Sequence, residues 1–234
     1  MKAILFGATG MVGQGVLREC LLDADVESVL AIGRSGTGQK HEKLQELIEK
    51  NLLELFSTEA VTGASSEHAT PTAPLARYDA CFFCLGVSSA GMSEPAYRRV
   101  TYDLTMAVAR ALAGLNPAMT FTYVSGAGTD SSERGRMMWA RVKGKTENDL
   151  LRTFAKAYMF RPGYIQPLHG IRTKTKLYGA LYAVMAPLYP LWKLLMPNLV
   201  TTTECVGRAM LHVAKHGAPK HVLESRDINL LCGG

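Results

Sequence analysis

The chain has 234 residues, of which 47% are hydrophobic and 20% are charged. This length and balance predict a single globular domain over residues 1–234 with a sizeable core, and they exclude a chain that is mainly disordered. The formal net charge is +6, and residues 131–176 are rich in Lys and Arg but lack a recognition helix or an aromatic platform, which favours an anionic cofactor or a solvated surface over nucleic acid.

The first predicted strand, residues 3–6, is apolar and runs directly into Gly7-Ala-Thr-Gly-Met-Val-Gly13. Apolar residues then recur at helical spacing, which predicts a helix over Met11–Leu22. Glycines at a strand-to-helix turn permit a tight backbone and leave the N–H groups of the helix facing an anion. In this context the glycines predict a binding site for the pyrophosphate of a dinucleotide.

A second apolar run, residues 29–32, predicts a strand that ends at Gly33-Arg34-Ser35. Leu44, Leu47 and Ile48 have helical spacing, so a helix is predicted there, with residues 52–56 as the third strand. Residues 57–77 are rich in Ser, Thr, Ala and Pro, which is typical of a surface connection.

Residues 80–86 are continuously apolar, as expected for a central parallel strand. A helix follows with one apolar stripe, and then come a strand at 119–124, a helix around 137–154 and a strand at 157–160. The stripe consists of Ala96, Val100, Leu104, Val108 and Leu112. Strands alternating with helices predict an α/β fold with a Rossmann-like, doubly wound parallel sheet.

The C-terminal part changes character, because residues 177–192 carry no charge. Pro187, Pro190 and Lys193 interrupt this run, so we predict no transmembrane span. We predict instead a small helical substrate or lid region over about 164–203, with a homodimer surface at 177–200 as the alternative role of its apolar part. Thr201-Thr-Thr-Glu204 matches a capping box that begins a helix, and residues 228–231 are the predicted last strand.

The five cysteines are an odd number at irregular spacing, which predicts a reducing compartment and no disulfide framework. Because the first strand begins at once and leaves no room for a signal peptide, a cytoplasmic location is predicted. Cys81 and Cys84 would point to opposite faces of their strand, so they are predicted to be core cysteines rather than metal ligands.

Four parts of the chain together resemble the atypical and extended short-chain dehydrogenase/reductase superfamily. They are the glycine turn, Tyr123-Val-Ser-Gly126 after the fifth strand, Lys143 in the next helix, and Arg161-Pro-Gly163 after the sixth strand. Within the superfamily, the chain is most similar to NAD(P)-binding proteins called NmrA-like or Tat-interacting-protein-like, and to bacterial chains of the epimerase/dehydratase type. The resemblance covers about residues 1–215 and specifies no substrate.

The resemblance implies that Ser125 orients a substrate carbonyl and that Lys143 assists a catalytic tyrosine four residues before it while holding the nicotinamide ribose. Trp139 occupies that tyrosine position, and an indole N–H only donates hydrogen bonds. Three alternatives stay open: Tyr97, Tyr164 or His169 supplies the proton, the reaction needs no acid from the protein, or there is no turnover.

The end of the second strand carries Arg34 and Ser35, where NAD-selective folds carry an acid, and this favours NADP(H). The resemblance also implies that residues 85–87 lie beside the adenosine or ribose and that the backbone of residues 162–165 flanks the nicotinamide. The predicted cofactor contacts are Gly7, Thr9, Gly10, Met11, Val12, Gly13, Arg34, Ser35, Leu85, Gly86, Val87, Lys143, Pro162, Gly163 and Ile165.

The function predicted from these residues is that of an NADP(H)-dependent oxidoreductase or epimerase-like enzyme acting on a small, fairly apolar molecule, with no metal. The alternative is a non-catalytic protein that senses NADP(H) and acts through a protein partner. Trp139 favours this alternative, whereas Ser125 and Lys143 fit either function.

Overall fold

The computed structural model describes residues 1–56, 73–171 and 198–233. Its strands are β1 (Lys2–Phe6), β2 (Ser28–Gly33), β3 (Leu44–Ile48), β4 (Ala80–Phe83), β5 (Thr120–Val124), β6 (Ala157–Arg161), β7 (Tyr164–Gln166), β8 (Val200–Thr202) and β9 (Val222–Glu224). Seven of these strands form one parallel sheet in the order β3-β2-β1-β4-β5-β6-β9, and β7 pairs with β8 in a separate parallel ribbon.

Helices connect the strands. They are α1 (Met11–Leu22), α2 (Leu52–Leu55), α3 (Glu94–Arg98), α4 (Leu104–Leu115), α5 (Met138–Thr153), α6 (Thr203–His216) and α7 (Ser225–Cys232). A 3₁₀ turn covers Ala73–Arg77, and a π-helical turn, Arg99–Asp103, joins α3 to α4. The predicted bounds of the first helix are confirmed.

The strand order reverses at β1, because the chain moves outward to β2 and β3 and then returns to β4 on the other side of β1. In an open parallel sheet, ligands bind in the crevice beyond the carboxyl ends of the strands at such a reversal. This confirms the predicted Rossmann order and directs attention to the loops after β1, β2 and β4.

Alternate residues of the central strands pack on opposite sides of the sheet, as the period of a strand requires. Ile4 and Phe6 belong to the core beneath α4 and α5, whereas Ala3 and Leu5 belong to the core beneath α1 and α6. Both faces of the sheet are therefore covered, which explains why the sequences of β4 and of β1 after Lys2 are continuously apolar.

Two short elements after β2 are the reverse of what the sequence predicts. Leu44–Ile48 is a strand and Leu52–Leu55 is a helix that begins at Asn51, whose side chain accepts a hydrogen bond from the Glu54 amide. Leu44 and Leu47 pack against cores on opposite sides of the sheet. A spacing of three residues therefore fits an edge strand covered on both faces as well as it fits a helix.

The predicted helix over residues 96–112 exists, but its apolar stripe is not continuous. Val108 and Leu112 are fully buried, whereas Val100 is 40% exposed and Tyr97 is buried in its place. The π-helical turn adds a residue to the helical repeat, so it rotates the buried face between α3 and α4.

The C-terminal elements also differ from the prediction. Residues 228–231 lie in α7, which begins with a reciprocal capping box between Glu224 and Asp227, and the last strand is β9 instead. The helix α6 begins one residue later than its predicted box, because the Thr202 hydroxyl accepts the hydrogen bond from the Cys205 amide.

Cys205 and Cys232 form a disulfide, which corrects the expectation that the cysteines are unpaired. Packing of α7 against α6 brings the two residues together, and nothing in their spacing indicates this pairing. Cys20 and Cys81 are buried free thiols, and Cys84 is a half-buried one.

Most of the predicted lid or dimer segment, 177–200, lies outside the described residues. Among the helices that are described, none is long and apolar enough to cross a membrane.

Candidate functional site

The turn after β1 has room only for glycine at two of its positions. Gly7 has φ +81°, and a Cβ there would lie 2.7 Å from the carbonyl carbon of Cys84. A Cβ on Gly13 would lie 2.0 Å from the carbonyl oxygen of Gly7. The backbone of this turn is therefore pressed between β4 and α1, and it closes with a hydrogen bond from the Gly10 amide to the Gly7 carbonyl.

The first turn of α1 presents backbone N–H groups without a competing side chain. Gly10 occupies the N-cap without a side-chain hydrogen bond, and the first turn contains no acid. Helix N-termini carry unsatisfied N–H groups and a partial positive charge, so they bind phosphate. Met11 and Val12 lie in this turn and are half-buried. A Cβ at Gly7 or Gly13 would collide with the chain's own backbone, so glycine keeps the turn tight, and the N–H groups at the start of α1 have the arrangement that binds a pyrophosphate in such turns.

A cleft of about 190 Å³ extends from this turn to the end of β2. It brings together five residues predicted to contact the cofactor: Gly7, Thr9, Arg34, Ser35 and Leu85. Gly86 and Val87 follow Leu85 in the chain, are exposed, and do not line the cleft. The cleft lies beyond the carboxyl ends of β1 and β2, where open parallel sheets bind ligands.

Arg34 is exposed and makes no ion pair with any residue in the described parts of the chain. Its guanidinium is thus available to an anionic ligand. Glu46 of β3 lines the same cleft, and its carboxylate accepts a 2.6 Å hydrogen bond from the Thr37 amide. Sequence reasoning missed Glu46 because the segment was predicted to be a helix, which gives no reason to place residue 46 beside β2 in the same cleft as Arg34.

A second group of predicted residues lies at the carboxyl ends of β5 and β6. Lys143 in α5 donates a hydrogen bond to the carbonyl of Ser125. Burial lowers the pKa of Lys143 to about 8, although the Glu147 carboxylate nearby acts in the opposite direction. Trp139 lies one helical turn before Lys143, and its ring lies against Gly128 in the loop after β5. Trp139 and Lys143 thus face the same loop.

The Ser125 hydroxyl points into the protein. It donates its proton to the carboxylate of Glu147, a residue that is 1% exposed, and the carbonyl of Phe160 is a second acceptor 3.2 Å from the same hydroxyl oxygen. Arg161 donates from Nε to both oxygens of Glu147, at 3.0 and 3.1 Å, and also from Nη2. The Ser125, Glu147 and Arg161 side chains therefore form a buried network that ties β5, α5 and β6 together, and this arrangement favours a structural role for Ser125.

The three residues named as replacements for the tyrosine have different surroundings. Tyr97 is 1% exposed and is part of the core. The Tyr164 hydroxyl donates to Gln166 at 2.8 Å, and the exposed His169 contacts Glu204 through Nε2 at 2.6 Å. None of these contacts involves Lys143, whose pKa is lowered to about 8 by burial.

The segment after β6 is fixed by backbone contacts. The Pro162 carbonyl accepts from the Ala127 amide at 2.9 Å, and the Gly163 amide donates to Ser225 Oγ at 2.8 Å. A Cβ on Gly163 would lie 2.3 Å from the Leu199 carbonyl oxygen, so this position requires glycine. Ile165 in β7 is buried. Pro162 and Gly163 therefore lie beside the loop that Lys143 and Trp139 face.

No protein-family model matches the chain. Protein FMP52-2, mitochondrial, from Scheffersomyces stipitis is 27% identical over 169 residues, which are 70% of this chain and 66% of that protein. The chain thus matches slightly less than two thirds of the length of this relative.

Solved structures share the fold at low sequence identity. The UDP-glucuronic acid 4-epimerase from Bacillus cereus, in complex with NAD, is 13% identical with a TM-score of 0.60, covering 95% of this chain and 77% of the epimerase. The short-chain dehydrogenase/reductase YIR035C from Saccharomyces cerevisiae is 15% identical with a TM-score of 0.54, covering 97% of this chain and 96% of that protein. The chain therefore has the Rossmann-like fold of NAD(P)-binding enzymes of the short-chain dehydrogenase/reductase and epimerase type, as its motifs predict.

Proposed function

We propose that the chain binds NADP(H) along the carboxyl edge of its sheet and acts as an oxidoreductase or epimerase-like enzyme on a small, fairly apolar molecule. The observation that carries the proposal is the glycine turn: Gly7, Ala8 and Thr9, which lead into the uncapped start of α1, line the same cleft as Arg34. The fold shared with an NAD-bound epimerase supports it.

In this proposal, the N–H groups at the start of α1 hold the pyrophosphate, and Arg34 holds the 2′-phosphate of the adenosine ribose. Arginine suits this role because its planar guanidinium matches phosphate oxygens in a bidentate geometry. Ser35 supplies a neighbouring hydroxyl. The loops after β5 and β6, with Lys143 between them, flank the nicotinamide end.

A nicotinamide held between these loops would supply or accept a hydride. The residues of the chain must then provide a proton, and the Trp139 indole cannot cycle one near neutral pH. We assign this proton to the Lys143 ammonium, because a pKa of about 8 is close to the pH at which a general acid works best. The buried carboxylate of Glu147, one turn along α5, helps to keep the ammonium charged.

The first experiment titrates the purified protein with NADPH and with NADH, monitored by tryptophan fluorescence, because Trp139 lies at the proposed nicotinamide end. NADPH is expected to bind more tightly, and Arg34→Ala should remove the preference while leaving NADH binding unchanged. The matched control is Arg110→Ala, an exposed arginine on α4, which should keep the preference. Equal affinities of the unmodified protein for both dinucleotides would contradict the assignment of Arg34.

A non-catalytic NADP(H) sensor is the second candidate function, and two observations favour it. Trp139 stands in the position of the proton donor, and the Ser125 hydroxyl is committed to Glu147. The substitution Trp139→Tyr separates the candidates when it is combined with a screen of carbonyl compounds and NADPH. Activity in the unmodified protein supports the enzyme, whereas activity that appears only in the Trp139→Tyr variant supports the sensor.

A further inference from the structure

The disulfide joins the first turn of α6 to the last residue of α7, and its two sulfur atoms lie in different surroundings. Cys232 lines a groove of about 420 Å³ between α1, α6 and α7, whereas Cys205 does not line it. A groove of this size suits a small organic molecule. Both cysteines are half-buried, and of the two only Cys232 lies on the wall of the groove, so a reagent bound in the groove lies next to Cys232.

The two cysteines also differ as leaving groups in thiol–disulfide exchange. The Cys205 amide lies in the first turn of the 14-residue helix α6, where it donates to the Thr202 hydroxyl. A thiolate near a helix N-terminus is stabilised by the helix dipole, and a better stabilised thiolate leaves faster. The nearby carboxylate of Glu204 opposes this effect, but it is paired with Arg208 and contacts His169.

The helices joined by the disulfide hold the segment that follows β6. At the start of α6, the Thr203 hydroxyl accepts a 3.1 Å hydrogen bond from the Leu168 amide. At the start of α7, the Ser225 hydroxyl accepts a 2.8 Å hydrogen bond from the Gly163 amide. The disulfide thus fixes the relative position of two helices that grip the same short segment at its two ends.

We propose that Cys205–Cys232 is a thiol-exchange site, at which a low-molecular-weight thiol attacks Cys232. Breaking the disulfide releases the brace, by which we mean the constraint that keeps α6 and α7 in place around residues 163–169. The thiolate forms a bond to Cys232 Sγ, the bond between the two protein sulfurs breaks, and Cys205 leaves as a thiolate and takes up a proton. A second thiolate attacks the sulfur of the bound thiol, releasing the oxidised small disulfide and the Cys232 thiolate. Two electrons pass from the two small thiols to the protein.

The other cysteines do not compete for this chemistry. Burial raises the pKa of Cys20, Cys81 and Cys84, so all three stay protonated and unreactive near neutral pH. Exchange and bracing are properties of the fold, so this proposal does not depend on the proposed binding of NADP(H).

Thiol titration and peptide mapping test the chemistry, with reduced glutathione as the probe. Protein purified without reductant and unfolded in guanidinium should show three reactive thiols, and five after reduction. Brief treatment of the folded protein should place the glutathione adduct on Cys232 in at least about tenfold excess over Cys205. Five thiols before reduction, or an adduct divided equally between the two cysteines, would overturn the proposal.

Hydrogen exchange tests the brace. Reduction should speed exchange at the Gly163 and Leu168 amides by about fivefold or more, and it should leave the sheet amides of β2 unchanged. The double variant Cys205→Ser/Cys232→Ser should exchange at the faster rate with or without reductant, whereas Cys84→Ser should behave like the unmodified protein. Equal exchange rates at Gly163 and Leu168 in the oxidised and reduced proteins would refute the bracing role, even if that double variant failed to fold.

Discussion

Replacing Arg161 with methionine should destabilise the protein far more than removing an exposed arginine. Arg161 donates three hydrogen bonds to Glu147, and the side chains of these two residues are only 12% and 1% exposed. After the substitution, the Glu147 carboxylate would stay buried with the Ser125 hydroxyl as its remaining donor among these three side chains. Methionine keeps most of the apolar stem, so the change removes the polar contacts of the guanidinium, which also include Glu224 at 3.7 Å and the Ser131 hydroxyl at 2.5 Å.

The size of the effect follows from the burial. Removing one partner of a buried ion pair costs about 3–5 kcal/mol, because the other charge is left without compensation. Typical domains unfold at a cost of about 5–15 kcal/mol, so this loss is a large part of the total. For a protein of this size, it corresponds to a fall in Tm of roughly 6–20 °C.

Chemical denaturation monitored by circular dichroism measures this change, and Arg152→Met is the matched control. Arg152 also pairs with a carboxylate of α5, Asp149, but its side chain is 70% exposed. An exposed pair contributes about 1 kcal/mol or less. If Arg161→Met lost no more stability than Arg152→Met, the buried network would not hold β5, α5 and β6 together as inferred.

Two further predictions concern the proposed cofactor site. NADPH affinity should fall as the pH rises through about 8, because Lys143 loses its proton there, and Lys143→Arg should flatten the fluorescence-derived Kd between pH 7 and about pH 9. A Kd that does not change between these pH values in the unmodified protein would show that the ammonium is not needed for binding. Glu46→Gln should tighten NADPH binding by about fivefold and leave NADH binding nearly unchanged. The substitution removes an electrostatic repulsion of about 1 kcal/mol between the carboxylate and the 2′-phosphate, and glutamine keeps an acceptor for the Thr37 amide. The control Glu42→Gln, an exposed acid before β3, should change neither Kd, and equal changes for both dinucleotides in Glu46→Gln would refute the charge effect.

The central part of the fold could be predicted because local sequence determines it. After Lys2 the strand β1 is apolar and buried on both faces, and a tight turn that begins at Gly7 separates it from α1. The edge of the sheet could not be predicted in the same way. Strand β3 exposes Gln45 and Glu46, and its leucines pack on two different faces, so its pattern does not distinguish a strand from a helix.

The candidate site shows the same contrast between local and long-range information. The glycine turn and Arg34 follow directly from the order of residues along β1, α1 and β2. The orientation of Ser125 depends on Glu147 and Arg161, which lie 22 and 36 positions further along the chain. Their meeting depends on how α5 packs against the sheet, and the pairing of Cys205 with Cys232 likewise depends on the packing of α6 against α7. Local patterns contain no information about such contacts.

The two halves of the proposed site therefore differ in the interactions that maintain their structure. Backbone geometry holds the half near Gly7 and Gly13, so its affinity for a pyrophosphate should change little with pH or with substitutions at surface charges. Charged side chains hold the half near Lys143, where the buried pair of Glu147 and Arg161 positions the loops that are proposed to flank the nicotinamide. A substitution in the second half can then abolish turnover while dinucleotide binding persists. A measurement of dinucleotide binding therefore cannot distinguish the enzyme from the sensor. The test that can is whether a group near Trp139 donates a proton to a substrate.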